Sequence, residues 1–210
     1  MCAGLNLLQS RIVCRDSSIM RASFLKLILV LAGCLLPAIA AMADEALQER
    51  IELCTTCHGE KGLPEQAEVP IIWGQEYYYL YVQLKDFKAG RRANETMQGI
   101  VEELSKADMK ALAQHFSEKK WPATGFKSND AADKAGLNAA AAGQCVQCHL
   151  GGYEGNSRVP RLGGQTQAYL TRTMQEFKDK VRLNSPAKGA LMKSYSQADI
   201  DNMASYLAGL

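Results

Sequence analysis

Hydrophobic residues recur along this chain with the spacing of amphipathic helices. Leu80, Leu84 and Phe87 are separated by four and then three residues, which places them on one face of a helix. The same spacing returns ninety positions later at Leu170, Met174 and Phe177. Each set forms one stripe, so each helix is predicted to bury one face. These patterns predict an all-α fold.

A further helix is predicted at the end of each half of the chain. Ser105 precedes Asp108 by three residues, as Ser196 precedes Asp199, and a serine followed by an acid at this distance is typical of a helix N-terminus. Both closing helices therefore begin in the same way. A shorter helix is predicted over residues 131–142.

The two halves repeat the same sequence features. Four dipeptides recur in order: Val69-Pro70, Gly74-Gln75, Tyr79-Leu80 and Phe87-Lys88 return as Val159-Pro160, Gly164-Gln165, Tyr169-Leu170 and Phe177-Lys178. Residues 44–118 and 131–210 are therefore predicted to be two homologous domains in tandem. Residues 119–130 contain Pro, Gly and Asn without helical periodicity, so they are predicted to be the linker.

The first 43 residues have the features of an export signal. Arg21 and Lys26 precede an apolar run, and small residues lead to a cleavage site near Ala43. This pattern predicts a periplasmic protein whose signal peptide is removed. Two alternatives are a retained membrane anchor and a lipoprotein, because LAGC, which ends at Cys34, resembles the site of lipid attachment.

Removal of the signal would change both the charge and the cysteine content. Residues 1–43 contain four basic residues and one acidic residue, so the net charge would change from +2 to about −1. A basic surface for nucleic acid is therefore not expected. Three of the seven cysteines lie in this segment, and the other four all belong to two Cys-x-x-Cys-His motifs. No cysteine remains for a disulfide bond or for catalysis.

Each Cys-x-x-Cys-His motif predicts one covalently bound haem c. On a helix, Cys54 and Cys57 can both reach the porphyrin vinyl groups while His58 directs its imidazole to the iron. The second motif is formed by Cys145, Cys148 and His149. A zinc knuckle or a thioredoxin-like pair would need other surroundings. Each half has only about 80 residues, so haem is expected to complete its core.

A methionine is the expected second axial ligand in each half. A thioether is neutral and soft, so it favours Fe(II) and raises the potential of a carrier. Met97 and Met192 both lie between the middle and closing helices, where a loop would carry the side chain across the haem. Met97 precedes Asp108 by eleven residues and Met192 precedes Asp199 by seven, so the two loops are expected to differ.

The haem-ligating histidines need a partner for the second ring nitrogen. Pro70 follows His58 by twelve residues and Pro160 follows His149 by eleven, both within a Val-Pro dipeptide. We expect the carbonyl oxygens of these prolines to accept the imidazole N–H, which would fix the ring orientation. A rigid turn at each proline is compatible with this role.

The order of these motifs resembles that of the dihaem cytochromes c4. The resemblance extends over nearly all of residues 44–210. It implies two class I cytochrome c folds around a pseudo-twofold axis, with the haem propionates facing each other near the interface. It also implies that Met97 and Met192 are iron ligands. The implied role is that of a periplasmic carrier between a quinol-oxidising complex or a dehydrogenase and a terminal acceptor such as a haem-copper oxidase.

Two other functions remain open. The dihaem subunit of flavocytochrome c sulfide dehydrogenase has a similar plan, so the chain could be the electron-accepting partner of a periplasmic flavoprotein dehydrogenase. A catalytic dihaem enzyme such as a peroxidase would need an open haem position, against which the two methionines count. In the first two interpretations the chain transfers electrons and has no catalytic activity of its own.

Overall fold

The computed structural model describes residues 45–210. The predicted signal peptide, its cleavage site near Ala43 and Cys34 lie outside the described residues. Within them the chain is helical, and the pairing of Asn156 with Val159 is an isolated β-bridge rather than part of a strand. The all-α prediction is confirmed. No helix in this range is long and apolar enough to span a membrane.

The first half contains four helices. They are α1 (45–58), α2 (Tyr77–Lys88), α3 (Glu95–Glu102) and α4 (Lys106–Ser117). Helix α2 packs against α3 and α4. Apolar residues from all four helices, together with Leu104 between α3 and α4, form the core of this half: Ile51, Leu80, Tyr81, Phe87, Val101, Leu104, Met109, Leu112, Ala113 and Phe116.

The second half contains five helices. They are α5 (Asp130–Ala142), α6 (Val146–His149), α7 (Gln167–Lys178), α8 (Pro186–Met192) and α9 (Gln197–Ala208). Helix α9 packs against α5 and α7, and α7 also packs against α8. Gly136 permits the close contact between α5 and α9, since a Cβ there would lie 2.3 Å from the carbonyl oxygen of Asn202.

A second hydrophobic core lies among these helices. Its members are Ala140, Tyr153, Leu170, Phe177, Met192, Tyr195, Ile200, Met203, Ala204, Leu207 and Ala208. Residues 120–129, between the two halves, have no regular secondary structure. Residues 47–210 nevertheless form one compact unit. The division into domains at 44–118 and 131–210 stays a prediction.

The predicted starts of the closing helices are confirmed. The Ser105 hydroxyl accepts a hydrogen bond from the Asp108 backbone N–H, and the Asp108 carboxylate accepts one from the Ser105 N–H. Ser196 and Asp199 form the same reciprocal pair at α9. Each pair satisfies two backbone donors that the first turn of a helix leaves free.

Candidate haem-binding sites

The first Cys-x-x-Cys-His motif forms the last turn of α1. Cys54 is half-buried against the first hydrophobic core, Cys57 is exposed and His58 is buried. The helix ends after His58 because Gly59 adopts a φ of +91°. A Cβ at Gly59 would lie 2.1 Å from the carbonyl oxygen of Leu63, so only glycine fits this turn. The motif thus presents two thiols and one imidazole together.

The second motif has a less regular backbone. Helix α5 ends at Ala142, and Cys145 stands outside the short helix α6 that carries Cys148 and His149. Cys145 is half-buried, Cys148 is exposed and His149 is buried. At Leu150, which follows the histidine, φ is 66° and ψ is 174°, a conformation that favours glycine.

Both imidazole rings are held by a proline carbonyl. Nδ1 of His58 lies 2.8 Å from the carbonyl oxygen of Pro70, and Nδ1 of His149 lies 2.9 Å from that of Pro160. A carbonyl oxygen can only accept, so each Nδ1 donates and each Nε2 retains its lone pair. This is the tautomer that a histidine needs to bind a metal through Nε2.

The protonation of both rings suits the same role. Burial lowers the pKa of His58, with a smaller contribution from Arg92. Burial also lowers the pKa of His149 to about 4, and the positive charge of Lys188 adds to this shift. Both imidazoles are therefore neutral near pH 7. A neutral imidazole is the form that coordinates iron.

The thiols do not have the chemistry of a redox dithiol. Burial raises the pKa of Cys54 to about 11 and also raises the pKa of Cys145. Reactive Cys-x-x-Cys pairs instead have a thiol with a lowered pKa. The donor set in each half, two free thiols beside a neutral, oriented imidazole, fits the covalent attachment of haem c. The roles of the individual residues stay predictions.

The two candidate methionines lie on helices, so their expected placement in loops is wrong. Met97 is in the first turn of α3, where its backbone N–H donates to the side chain of Asn94. Met192 is the last residue of α8, which begins at Pro186. An asparagine N-cap and a proline at the first helical position both favour helix initiation, and this accounts for the short helices.

The methionines also do not occupy equivalent positions. Met97 is partly buried beside the first core, whereas Met192 is a member of the second core with 7% exposure. Met192 corresponds to Val101, because each stands four residues before the N-cap serine of the closing helix. Both backbone carbonyls also accept a hydrogen bond from the residue three positions later. The position that corresponds to Met97 is occupied by Lys188.

A buried polar network joins the two halves. Arg92 donates to the hydroxyl of Tyr169 at 3.0 Å, and Arg182 donates to that of Tyr79 at 3.4 Å. Both guanidinium groups also donate to Oε1 of Gln83, at 3.0 Å and 2.8 Å. An arginine of each half thus donates a hydrogen bond to a tyrosine of the other half. The repeat in the sequence indicates that these residues correspond in pairs, but it does not predict that they meet.

The chain is similar to known cytochromes in both sequence and structure. The Cytochrome c family model matches residues 134–210. The chain is 31% identical over 194 residues to cytochrome c4 of Stutzerimonas stutzeri, covering 81% of this chain and 90% of that protein. It is 30% identical over 171 residues to the thiosulfate dehydrogenase electron acceptor of S. stutzeri strain A1501, covering 75% and 78%. The structure of reduced recombinant cytochrome c4 from Pseudomonas stutzeri matches with a TM-score of 0.70 and 30% identity, covering 79% and 97%.

Proposed function

Because the chain belongs to the cytochrome c4 family, we propose that it is a periplasmic dihaem protein that relays electrons between a donor complex and a terminal acceptor. Membership implies a c-type cytochrome with covalent haem c. The observation that carries the proposal is the double occurrence of one arrangement. In each half a Cys-x-x-Cys-His motif ends in a buried histidine whose Nδ1 donates to a proline carbonyl.

The chain's own residues would hold and orient the two cofactors. Cys54 and Cys57 would bind one haem through thioethers, and the second motif would bind the other at Cys145 and Cys148. His58 and His149 would each provide a nitrogen ligand to the iron. Bound haem c would supply a one-electron Fe(II)/Fe(III) couple.

The connection between the halves supports a relay within one chain. Some of the hydrogen bonds that join them are buried, among them those of Gln165 with Ile71 and of Arg92 with Tyr169. Buried networks of this kind restrict the movement of the groups they join. The two binding motifs would therefore keep a fixed separation, which would hold the two cofactors at a constant distance from each other.

The proposed donor is a quinol-oxidising complex or a dehydrogenase, and the proposed acceptor is a haem-copper oxidase. A second candidate function is that of the dedicated electron acceptor of a periplasmic dehydrogenase. Two relatives named as thiosulfate dehydrogenase electron acceptors, 30% and 33% identical, favour thiosulfate oxidation as its source of electrons. They give no corresponding support to a sulfide-oxidising flavoprotein.

Haem content is the first test. Mature protein from a periplasmic extract should stain for haem on a denaturing gel, and its intact mass should exceed that of the polypeptide by two haems. The double substitution Cys145→Ser and Cys148→Ser should reduce the excess to one haem, as should the matched pair Cys54→Ser and Cys57→Ser. A single haem in the unmodified protein would contradict the proposal. The same mass measurement should give a polypeptide that begins after Ala43. A mass that corresponds to a chain beginning at a lipid-modified Cys34 would instead identify a lipoprotein.

Electron transfer is the second test. The reduced protein should be oxidised rapidly by a haem-copper oxidase in stopped-flow measurements, and it should show no turnover with peroxide. Reduction by thiosulfate that requires a thiosulfate dehydrogenase would establish the second candidate function. Reduction by sulfide that requires a flavoprotein would instead identify a sulfide dehydrogenase as the partner. Failure with all of these partners would contradict both functions.

A further inference from the structure

Lys188 occupies in the second half the position that Met97 occupies in the first. Met97 is the third residue of α3 and stands eight residues before Ser105, the N-cap of α4. Lys188 is the third residue of α8 and stands eight residues before Ser196, the N-cap of α9. The two positions therefore agree when they are counted from either end of the segment.

The side of the helix also agrees. Met97 precedes the buried Val101 by four residues, and Lys188 precedes the buried Met192 by four. Residues four apart lie on the same face of a helix, so both side chains extend from the face that meets the core. Lys188 is accordingly half-buried, whereas Lys193, just beyond the end of α8, is exposed.

The amine of Lys188 lies near the second haem-binding motif. Its positive charge acts on the imidazole of His149 and on the thiol of Cys145. The ionisable groups whose charges influence the Lys188 amine are Arg182, Cys148 and Cys145. None of them is a carboxylate. Within residues 45–210 the amine makes no ion pair. Lysines are seldom buried unless they are paired with an acid. The contacts within this range therefore do not explain why a lysine is half-buried beside the binding motif.

We propose that Lys188, and not Met192, supplies the second axial ligand in the second half, through its neutral amine. This inference rests on the proposed haem-binding function and replaces the ligand that the sequence predicts. The amine must release its proton to solvent before its nitrogen can coordinate. Met192 then serves as a core residue, as Val101 does in the first half. The two halves would bind their irons with unlike ligands, a thioether from Met97 and an amine from Lys188.

Unlike ligands would separate the two sites in potential. A thioether is a soft donor that favours Fe(II), whereas an amine is a harder donor that favours Fe(III). The second site would therefore be reduced at a lower potential than the first. An electron would pass more favourably from the second site to the first than in the opposite direction.

The near-infrared sulfur-to-iron band of the ferric protein tests this ligand. The band reports methionine ligation, so only the first site should contribute to it. Met97→Ala should abolish the whole band, and Met192→Leu should leave it unchanged. Lys188→Met should increase its intensity about twofold by adding a second thioether. Lys193→Ala, a matched substitution of an exposed lysine, should have no effect.

Near-infrared magnetic circular dichroism provides the complementary readout. The unmodified protein should show one His/Met and one His/amine signal, and Lys188→Ala should remove only the second. The inference would be overturned if Met192→Leu removed half of the sulfur-to-iron band, or if Met97→Ala left half of it. It would also be overturned if Lys188→Ala left the magnetic circular dichroism spectrum unchanged. The intact mass of every variant should be measured to count its haems. If a variant retains two haems but its spectra contradict the ligand assignment, the assignment fails while the proposed haem-binding function stands.

Discussion

Gln165 hydrogen-bonds to both backbone groups of Ile71, ninety-four residues earlier in the chain. Its Oε1 accepts from the Ile71 N–H at 2.9 Å, and its Nε2 donates to the Ile71 carbonyl at 3.0 Å. Gln75 makes the reciprocal pair with Arg161, at 2.8 Å and 3.0 Å. The two halves thus exchange equivalent contacts, as a pseudo-twofold relation requires.

Loss of the Gln165 amide should weaken the contact between the halves. In Gln165→Ala the buried N–H and carbonyl of Ile71 would lose their partners, which should lower the free energy of unfolding by about 2 kcal/mol. Urea denaturation monitored by circular dichroism would measure this change. Gln114→Ala, at an exposed position of α4, should cost far less. Equal effects of the two substitutions would mean that the Gln165 contact is not a stabilising one.

Replacement of Leu150 by glycine should stabilise the protein. Leu150 has a φ of 66° and a ψ of 174°, a region that a side chain disfavours, so Leu150→Gly should raise the free energy of unfolding by about 1 kcal/mol. The corresponding Gly59→Ala should instead destabilise, because its Cβ would meet the carbonyl oxygen of Leu63. Thermal unfolding of the two variants compares these effects, and a lower midpoint for Leu150→Gly would contradict the prediction.

The two helix N-caps should contribute similar amounts. Ser105→Ala and Ser196→Ala each remove the hydroxyl that accepts from the third residue of the helix, so each should lower the free energy of unfolding by about 1 kcal/mol.

The cap at Ser105 should also depend on pH through Asp108. Burial raises the pKa of Asp108, but the hydrogen bonds from Ser105 outweigh burial, so the pKa is lowered. The contribution of Asp108 is therefore present above the ordinary carboxyl pKa and is lost as pH falls through the lower folded value. Denaturation near pH 3 and pH 7 should show a smaller effect of Ser105→Ala at the acidic pH.

Tyr169 should make the stability depend on pH above neutrality. Burial opposes its ionisation, but Arg92 and Arg182 outweigh burial and lower its pKa to about 7. A folded pKa below the unfolded value means that the unfolded chain binds more protons between about pH 7 and 10, so stability should rise through this range. Tyr169→Phe should flatten that rise, as measured by denaturation at several pH values. A steep rise that persists in Tyr169→Phe would exclude this group as its source.

A redox titration should resolve two one-electron steps. The higher step is expected at the site of Met97 and the lower at that of Lys188, because a thioether favours Fe(II) more than an amine does. Lys188→Met should raise the lower potential towards the higher one, and Met97→Lys should lower the higher one. A single unresolved step in the unmodified protein would indicate that the two sites have similar ligands.

The sequence by itself determined the features that depend on neighbouring residues. The Cys-x-x-Cys-His motifs, the helical stripe at Leu80 and Phe87 and the capping pair at Ser105 and Asp108 each involve residues within one or two helical turns. Their geometry follows from helix periodicity and from the hydrogen bonds that a first turn leaves free. The helical class and the starts of the closing helices were therefore predictable, and the structure confirms both.

The tertiary structure decided what depends on distant residues and on register. The sequence offers Met97 and Met192 as the candidate methionines between the middle and closing helices, but the helix boundaries pair Met97 with Lys188 and Met192 with Val101. The segment from Phe177 to Ser196 is one residue longer than the segment from Phe87 to Ser105, and the positions of the helix caps show where the extra residue is accommodated. The contacts between Gln165 and Ile71 are beyond any local pattern, because residues ninety-four positions apart meet only when both halves have packed. Local spacing fixes which groups can bind haem, whereas packing fixes which groups face one another.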